Sequence, residues 1–252
     1  MSDASTKSAL PPHPELRSYY RGDREKGAFL KQIFDETASD YDRVESVLAL
    51  GSGRWYRRQA LLRAGLAAGM NVLDVAMGTG LVAREAMRVV GDRGRVVGVD
   101  PSAGMLREAI ATIAGARAVV GVGQAIPFAN DAFDFVSMGY ALRHLPDLRP
   151  AFAEFHRVLK PGGRACILEI SRPTGGASRW MMGAYFRGVL PTLARVIRTK
   201  PQTRHLWTYY WETIDQCVPP DTVLAAMRDA GFRNVRRNLS LGMFSEFVGE
   251  KR

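Results

Sequence analysis

Apolar residues in this chain recur at two alternating periods, and the alternation predicts an architecture. Short apolar runs at 71–75, 95–100, 118–122, 133–138 and 164–170 read as strands, the first through Val72, Leu73 and Val75. Between them lie segments of helical period. One runs from about 81 to 90. The next opens at Pro101-Ser102 and carries Met105, Leu106, Ala109 and Ile113. Another follows Asp147 with Leu148, Ala151, Phe152, Phe155, Val158 and Leu159 on one face. Ser and Asp directly before an apolar-periodic run are helix N-cap residues. Gly91–Gly94 and Lys160–Gly163 supply turns. Strand and helix alternating at this spacing predict a parallel sheet with helices on both faces.

The two ends depart from that rhythm. Residues 1–24, with Pro11-Pro12-His13-Pro14, show neither period and read as a flexible lead-in. Residues 25–70 read as a helical cap: Phe29, Ile33 and Phe34 share a face, Val44, Val47 and Leu48 follow, and the pattern breaks at Gly51-Ser-Gly53. A second helix, Trp55 to Leu66, is expected to turn Leu61 and Leu62 inward. Beyond the fifth strand, residues 172–215 form a helical insertion over the active site, with stretches at 176–200 and 203–215 and no strand between. A helix at 221–230 then precedes strand-like runs at 233–239 and 243–249, too close together for anything but a hairpin. Residues 25–252 thus read as one domain.

The stretch Asn71–Ala83 joins a buried strand to a glycine turn and a helix start, where α/β proteins bind nucleotide-like ligands. Gly78-x-Gly80-x-x-Ala83 fits the dinucleotide fingerprint in its Gly-or-Ala form, and Asp100 follows Gly80 by twenty residues. NAD, FAD and S-adenosylmethionine (SAM) all suit such a turn. The terminal hairpin separates them: a dinucleotide fold would repeat its βαβαβ half, whereas an antiparallel strand in a parallel sheet points to a SAM-binding sheet.

Composition narrows the partners. The net charge of +10, from 35 Lys and Arg against 25 Asp and Glu, could attract nucleic acid, anionic lipid or an acidic small molecule. No basic run is long enough for a nucleic-acid tail, so no nucleic-acid partner is expected. No apolar run would span a bilayer, the N-terminus does not read as a signal peptide, and Cys166 and Cys217 lack metal-ligand spacing. The expectation is a cytoplasmic protein without a metal.

Several stretches carry a resemblance. Asp74-Val-Ala-Met-Gly-Thr-Gly80, Val99-Asp100, Ala125-Ile-Pro-Phe128, Phe133-Asp134 and Val158-Leu-Lys-Pro-Gly-Gly163 together resemble the class I SAM-dependent methyltransferases. Phe34–Asp42, Leu142-Arg143, Leu168-Glu-Ile-Ser171, Tyr209…Glu212-Thr-Ile214 and Met227–Phe232 narrow this to the C-methyltransferases of ubiquinone and menaquinone biosynthesis, over roughly 25–252. The resemblance implies a Rossmann-like fold with a mostly parallel seven-stranded sheet, a C-terminal antiparallel hairpin and a helical cap. It implies SAM as cofactor, S-adenosylhomocysteine as product, and ring methylation of a quinol-like aromatic. Ala76, Gly78 and Gly80 would pass under the methionine part of SAM, with Asp74 close by. Asp100 would accept from the ribose hydroxyls, Met105 would pack on the adenine, and Gly123 and Gln124 would lie at its edge. Gly139 would lie under the sulfonium, and Tyr41 would help close the pocket.

The chain also departs from that pattern. Ala76 stands where the loop usually has Gly, and fits only at a negative φ. Met77 replaces a small residue. Val122 replaces the acceptor of the adenine amino group, which moves that contact to Gln124 or the backbone. His144 and Glu45 each replace an Asn.

Carbon methylation beside a phenol needs the phenol ionised, so a base and a stabilised oxyanion are the protein's natural contributions. Arg143 and His144 follow the fourth strand at its carboxyl end. Arg143 stays protonated and suits a clamp on the phenolate; His144 titrates near neutrality and suits the proton acceptor. Glu169, Asp134 and His156 read as structural or solvated. Methylation of oxygen or nitrogen on another small molecule, a catalytically silent SAM-fold binding protein, and RNA methylation are the alternatives. The stripe Trp180–Ile197 reads as core, as a lid, or as a basic amphipathic surface for peripheral membrane contact. A homodimer is compatible with the sequence.

Overall fold

The computed structural model describes residues 9–48, 52–196 and 201–252; the side chains of 43–48, 194, 196 and 201–204, Glu45 among them, lie outside the described residues, as do 1–8, 49–51 and 197–200. Seven strands form one sheet: β1 (Asn71–Val75), β2 (Arg95–Asp100), β3 (Ala118–Val120), β4 (Phe133–Gly139), β5 (Leu159–Ile170), β6 (Arg233–Ser240) and β7 (Phe244–Glu250). Their spatial order is β3-β2-β1-β4-β5-β7-β6. Every pairing is parallel except those of β7, which runs antiparallel to both β5 and β6. Among the described residues the helices are α1 (Gly22–Leu48), α2 (Ser52–Ala64), α3 (Leu81–Val90), α4 (Ala103–Thr112), α5 (Leu148–Val158), α6 (Gly176–Ala184), α7 (Leu190–Val196), α8 (Pro201–Asp215) and α9 (Pro220–Asp229).

Residues alternate across β1, so one strand feeds two cores. Leu73 and Val75 join Phe152 and Phe155 of α5 and Met227 of α9 on one face. Val72 faces the other way, into a cluster with Leu61 of α2, Ala83 and Ala86 of α3 and Leu106 of α4. Helix α5 buries Leu148, Ala151, Phe152, Phe155 and Val158, the i, i+3, i+4, i+7 stripe of an amphipathic helix. Ser102 and Asp147 cap as their positions predict: Ser102 Oγ accepts from Met105 N at 3.0 Å, and Asp147 Oδ1 from Arg149 N at 2.9 Å. The winding direction reverses between β1 and β4, which opens a crevice beyond the carboxyl ends of the strands.

A third, aromatic core lies outside the sheet. Leu30 and Ile33 of α1, Met182, Phe186 and Leu190, and Leu206, Trp207, Tyr209, Tyr210, Trp211 and Ile214 of α8 pack together with Leu16 and Tyr20. The lead-in expectation therefore needs correction for residues 9–20. Leu16, Tyr20 and His13 are buried, Tyr19 lies edge-on to Tyr209 at 5.2 Å, and Leu10 N donates to Asp147 Oδ1 at 3.2 Å. Their burial is against α1 and α8, so no local period announces it.

Three further differences are local. Leu62 of α2 is 44% exposed rather than inward. The stretch 176–196 passes through a π turn at Tyr185–Val189, directly before Pro191 and its missing N–H. Its inner side belongs to the aromatic core, while Trp180, Met181, Tyr185 and Val189 face outward. His156 is not freely solvated: its ring meets Phe232 edge-on at 5.2 Å. No helix among the described residues is long and apolar enough to cross a membrane.

Candidate active site

The crevice at the strand ends holds a cavity of about 450 Å3. Its floor comes from Asp74–Thr79 at the end of β1 and in the turn beyond it, Asp100 at the end of β2, Gly123 and Gln124, and Met138–Ala141 at the end of β4. Helix α1 forms the opposite wall with Lys26, Leu30, Phe34 and Tyr41, and α8 adds Tyr210. The expected cofactor positions Tyr41, Asp74, Ala76, Gly78, Asp100, Met105, Gly123, Gln124 and Gly139 all border this space. Gly80 does not. It begins α3 at φ +83, and a side chain there would collide with Ile113, so its service is to the turn itself.

Ala76 has φ +53, the left-handed region, where sequence reasoning required a negative value. A non-glycine residue there costs about 1–2 kcal/mol, supplied by the packing around the turn. Met77 does not crowd the cavity floor. Its side chain belongs to the core between β2, α3 and α4, against Gly98, whose lack of a side chain makes the room. Val122 is 43% exposed, with an isolated backbone bridge to Ala125, while Gly123 and Gln124 take the wall.

Asp100 Oδ2 accepts from Gly78 N and Oδ1 from Ser102 N, each at 2.8 Å. Each oxygen keeps a second lone pair for a ligand hydroxyl. Burial raises the Asp100 carboxyl to about 6, against the pull of the two backbone donors. Asp74 is buried more completely: Ser137 Oγ donates to Oδ1 at 2.6 Å, the Ala83 amide adds its pull on the carboxyl, and Oδ2 makes no hydrogen bond of good geometry. Burial raises it to about 7. A buried carboxylate with an unused oxygen beside a cavity is a seat for a cationic donor.

Sequence reasoning missed how α1 is latched to the turns. Asp35 Oδ1 accepts from Ser102 Oγ at 2.6 Å and from Gly104 N at 2.7 Å, and Thr79 Oγ1 donates to Asp42 at 2.5 Å. Lys26 was also missed, although a cation sharing a face with Phe29, Leu30 and Ile33 is a visible anomaly in an amphipathic helix.

The pair expected to do chemistry divides. Arg143 is 1% exposed and does not border the cavity. Its Nη1 donates to Glu169 Oε1 at 2.5 Å and to Tyr140 O at 2.8 Å, and its guanidinium lies 4.6 Å from the Tyr210 ring centre. A cation so engaged is no free clamp; it positions Tyr210 and the turn carrying His144. His144 does border the cavity. Its ring stacks on Tyr209 at 5.7 Å and meets Phe34 edge-on at 5.4 Å; Nδ1 lies 3.5 Å from Tyr209 Oη and Nε2 has no hydrogen-bond partner. Burial first, then the charge of Arg143 and Lys26, lowers its pKa well below 6.5. The ring is neutral, so the expected titration near neutrality does not occur. Glu169 is spent on Arg143, and Asp134 ties Asn71 N to Lys160.

Comparison with known proteins agrees with this geometry. Residues 22–251 match the ubiE/COQ5 methyltransferase family. The chain is 32% identical to a demethylmenaquinone methyltransferase of Roseiflexus castenholzii, over 90% of this chain and 95% of that one. It is also 32% identical to a ubiquinone/menaquinone biosynthesis C-methyltransferase UbiE of Coxiella burnetii, over 88% and 90%. A SAM-dependent methyltransferase structure from Aquifex aeolicus shares the fold, with a TM-score of 0.56 at 20% identity over 77% of this chain and 88% of that one. The chain belongs to the ubiE/COQ5 methyltransferase family and is a SAM-dependent methyltransferase.

The residues present fit SAM: the unused oxygen on buried Asp74 would suit its amino group and Asp100 its ribose, and at Gly78 a side chain would meet open space. A pH dependence follows. Both carboxyls are raised, so the folded chain favours their protonated forms; this stabilisation is present below the unfolded carboxyl pKa and is lost as pH rises towards 7. A bound ammonium group needs Asp74 ionised. SAM affinity should therefore rise with pH up to about 7 and then level off, by up to roughly tenfold per unit. Asp74→Asn should weaken binding and flatten the curve, read by calorimetry across that range; an equally steep curve in the variant would remove Asp74 from the site.

Proposed function

We propose that this methyltransferase methylates a ring carbon of a quinol-like aromatic, the chemistry carried in the names of its curated relatives. The observation that carries the reading is His144: a neutral imidazole with an unused Nε2, on the wall of a largely apolar cavity bounded by Phe34, Leu30 and Tyr210. When bound, SAM supplies an electrophilic methyl group whose sulfur keeps the S–CH3 electron pair and leaves as a neutral thioether. His144 Nε2 takes the phenol proton, and the ring carbon gains the electron density that forms the new C–C bond. The hydrogen displaced from that carbon leaves to solvent as a proton when aromaticity returns, and His144 gives its proton back to the ring oxygen, so one proton is released per turnover. Phe34, Leu30 and Tyr210 exclude water, which strengthens each electrostatic contact at the reacting atoms. Arg143, through Glu169, Tyr140 O and Tyr210, holds the turn that carries His144.

The outer side of α6 and of the π turn after it supports a peripheral role at an anionic membrane, where a prenylated quinol resides. Trp180, Met181 and Val189 are exposed there, next to exposed Arg187, on a chain of net charge +10. Flotation with anionic vesicles should carry the wild type, and Trp180→Ala with Met181→Ala should leave it in the soluble fraction; unchanged flotation would remove this face.

For the reaction itself, a 2-unsubstituted naphthohydroquinone should yield a ring-methylated product by NMR. His144→Ala should lower kcat by roughly 10²–10⁴, the usual span for a lost general base, while SAM affinity stays within about twofold. Methylation of oxygen alone would replace this reading with that of an O-methyltransferase.

A further inference from the structure

A buried imidazole of such low basicity takes a phenol's proton only where another group stabilises the phenolate. Arg143, the cation adjacent in sequence, is committed to Glu169 and lies off the cavity wall. Three other cations border the cavity: Lys26, Lys31 and Arg57. Lys31 pairs with Asp35 at 2.9 Å. Arg57 lies over the Tyr140 ring at 5.6 Å and does not figure among the charges that act on His144. Lys26 differs from both. It is 5% exposed, as buried as Arg57 at 4%, but its Nζ donates to a neutral acceptor, Leu145 O, at 2.9 Å, on the residue next to His144. An ammonium has three donors, which leaves Lys26 two for a ligand.

We propose that Lys26 is the substrate-binding cation of this site, its ammonium holding the ionised ring oxygen while His144 receives the proton. The inference rests on the aromatic-substrate reading above, since a phenolate is what it explains. Burial lowers the Lys26 pKa to about 8, partly opposed by Asp23 and by Cys217. A buried cation without a close carboxylate is costly, and an anion arriving beside it recovers that cost. The other groups acting on this corner are Arg143, which is paired with Glu169; His13, whose pKa burial and then Lys26 lower to about 4; and His144 itself. With both imidazoles neutral and the charge of Arg143 answered by Glu169, Lys26 is the member of this cluster whose positive charge faces no paired carboxylate. The position also explains the packing of residues 9–20: they bring His13 to this corner, whereas solvent there would screen the charge.

Lys26→Met keeps the stem and removes the charge. With S-adenosylhomocysteine present, the wild type titrated with 4-nitrophenol, at a pH where the free probe is mostly neutral, should show the absorption of the ionised probe. Lys26→Met should bind the probe in its neutral form. Its kcat on the naphthohydroquinone should fall by roughly 10²–10³, as for the loss of one oxyanion donor, and S-adenosylhomocysteine affinity should hold within about twofold, which reports an intact fold. Small alkylamines should restore part of the activity of Lys26→Ala. Ionised probe persisting in Lys26→Met, or lost in Arg57→Met and kept in Lys26→Met, overturns the proposal. A wild type that ionises the probe but methylates no ring carbon leaves Lys26 as an anion site and refutes the quinol reading instead.

Discussion

The buried contact between Arg143 and Glu169 is the constraint on which the site depends. It joins the short helical turn Leu142–His144, after β4, to the end of β5, and the same guanidinium reaches Tyr140 O and the face of Tyr210 on α8. Taking two charges out of water costs several kcal/mol, so the pair is weak evidence for net stability; removing one partner would strand the other at about 3–5 kcal/mol. What the pair supplies is placement. Three elements distant in sequence meet at one planar, five-donor group, and His144 is carried into the gap between Phe34, Tyr209 and Tyr210 as a consequence.

The cavity follows from a division of labour around that point. The sheet supplies rigid strand ends, with small or backbone-rich residues on the cofactor side: Gly78, Gly123 and Gly139. Helix α1, latched through Asp35 and Asp42 to the turns after β2 and β1, supplies the opposite wall. Desolvation then acts oppositely on acids and bases. It raises Asp74 and Asp100 and lowers His13, Lys26 and His144, so the pocket holds less charge than its residue list suggests. A ligand carrying an ammonium at one end and a substrate offering a phenolate at the other would restore that charge in pairs.

Much of this was legible in the residues because it is local. Strand and helix periods located the sheet, the hairpin separated a SAM fold from a dinucleotide fold, and the glycine turn located the floor of the cavity. Misreadings arose where a tertiary partner decides. Nothing near Arg143 in sequence announces Glu169, twenty-six residues on, as the group that withdraws it from the cavity. Residues 9–20 looked loose because their partners are aromatic rings of α1 and α8, out of reach of any local period. Ala76 obeyed the turn rather than its own preference, and Met77 found space only because Gly98 lies beside it on the next strand. Lys26 was readable from α1 alone, as a cation on the apolar face.

A buried catalytic corner that keeps His144 neutral is what the site turns on. Its most direct test is a pH titration of the histidine ring resonances in isotope-labelled protein, with His144 assigned by substitution among the four histidines. The His144 ring should stay neutral through pH 6.5 and well below it. A midpoint at the ordinary value near 6.5 would show a solvated imidazole and contradict it.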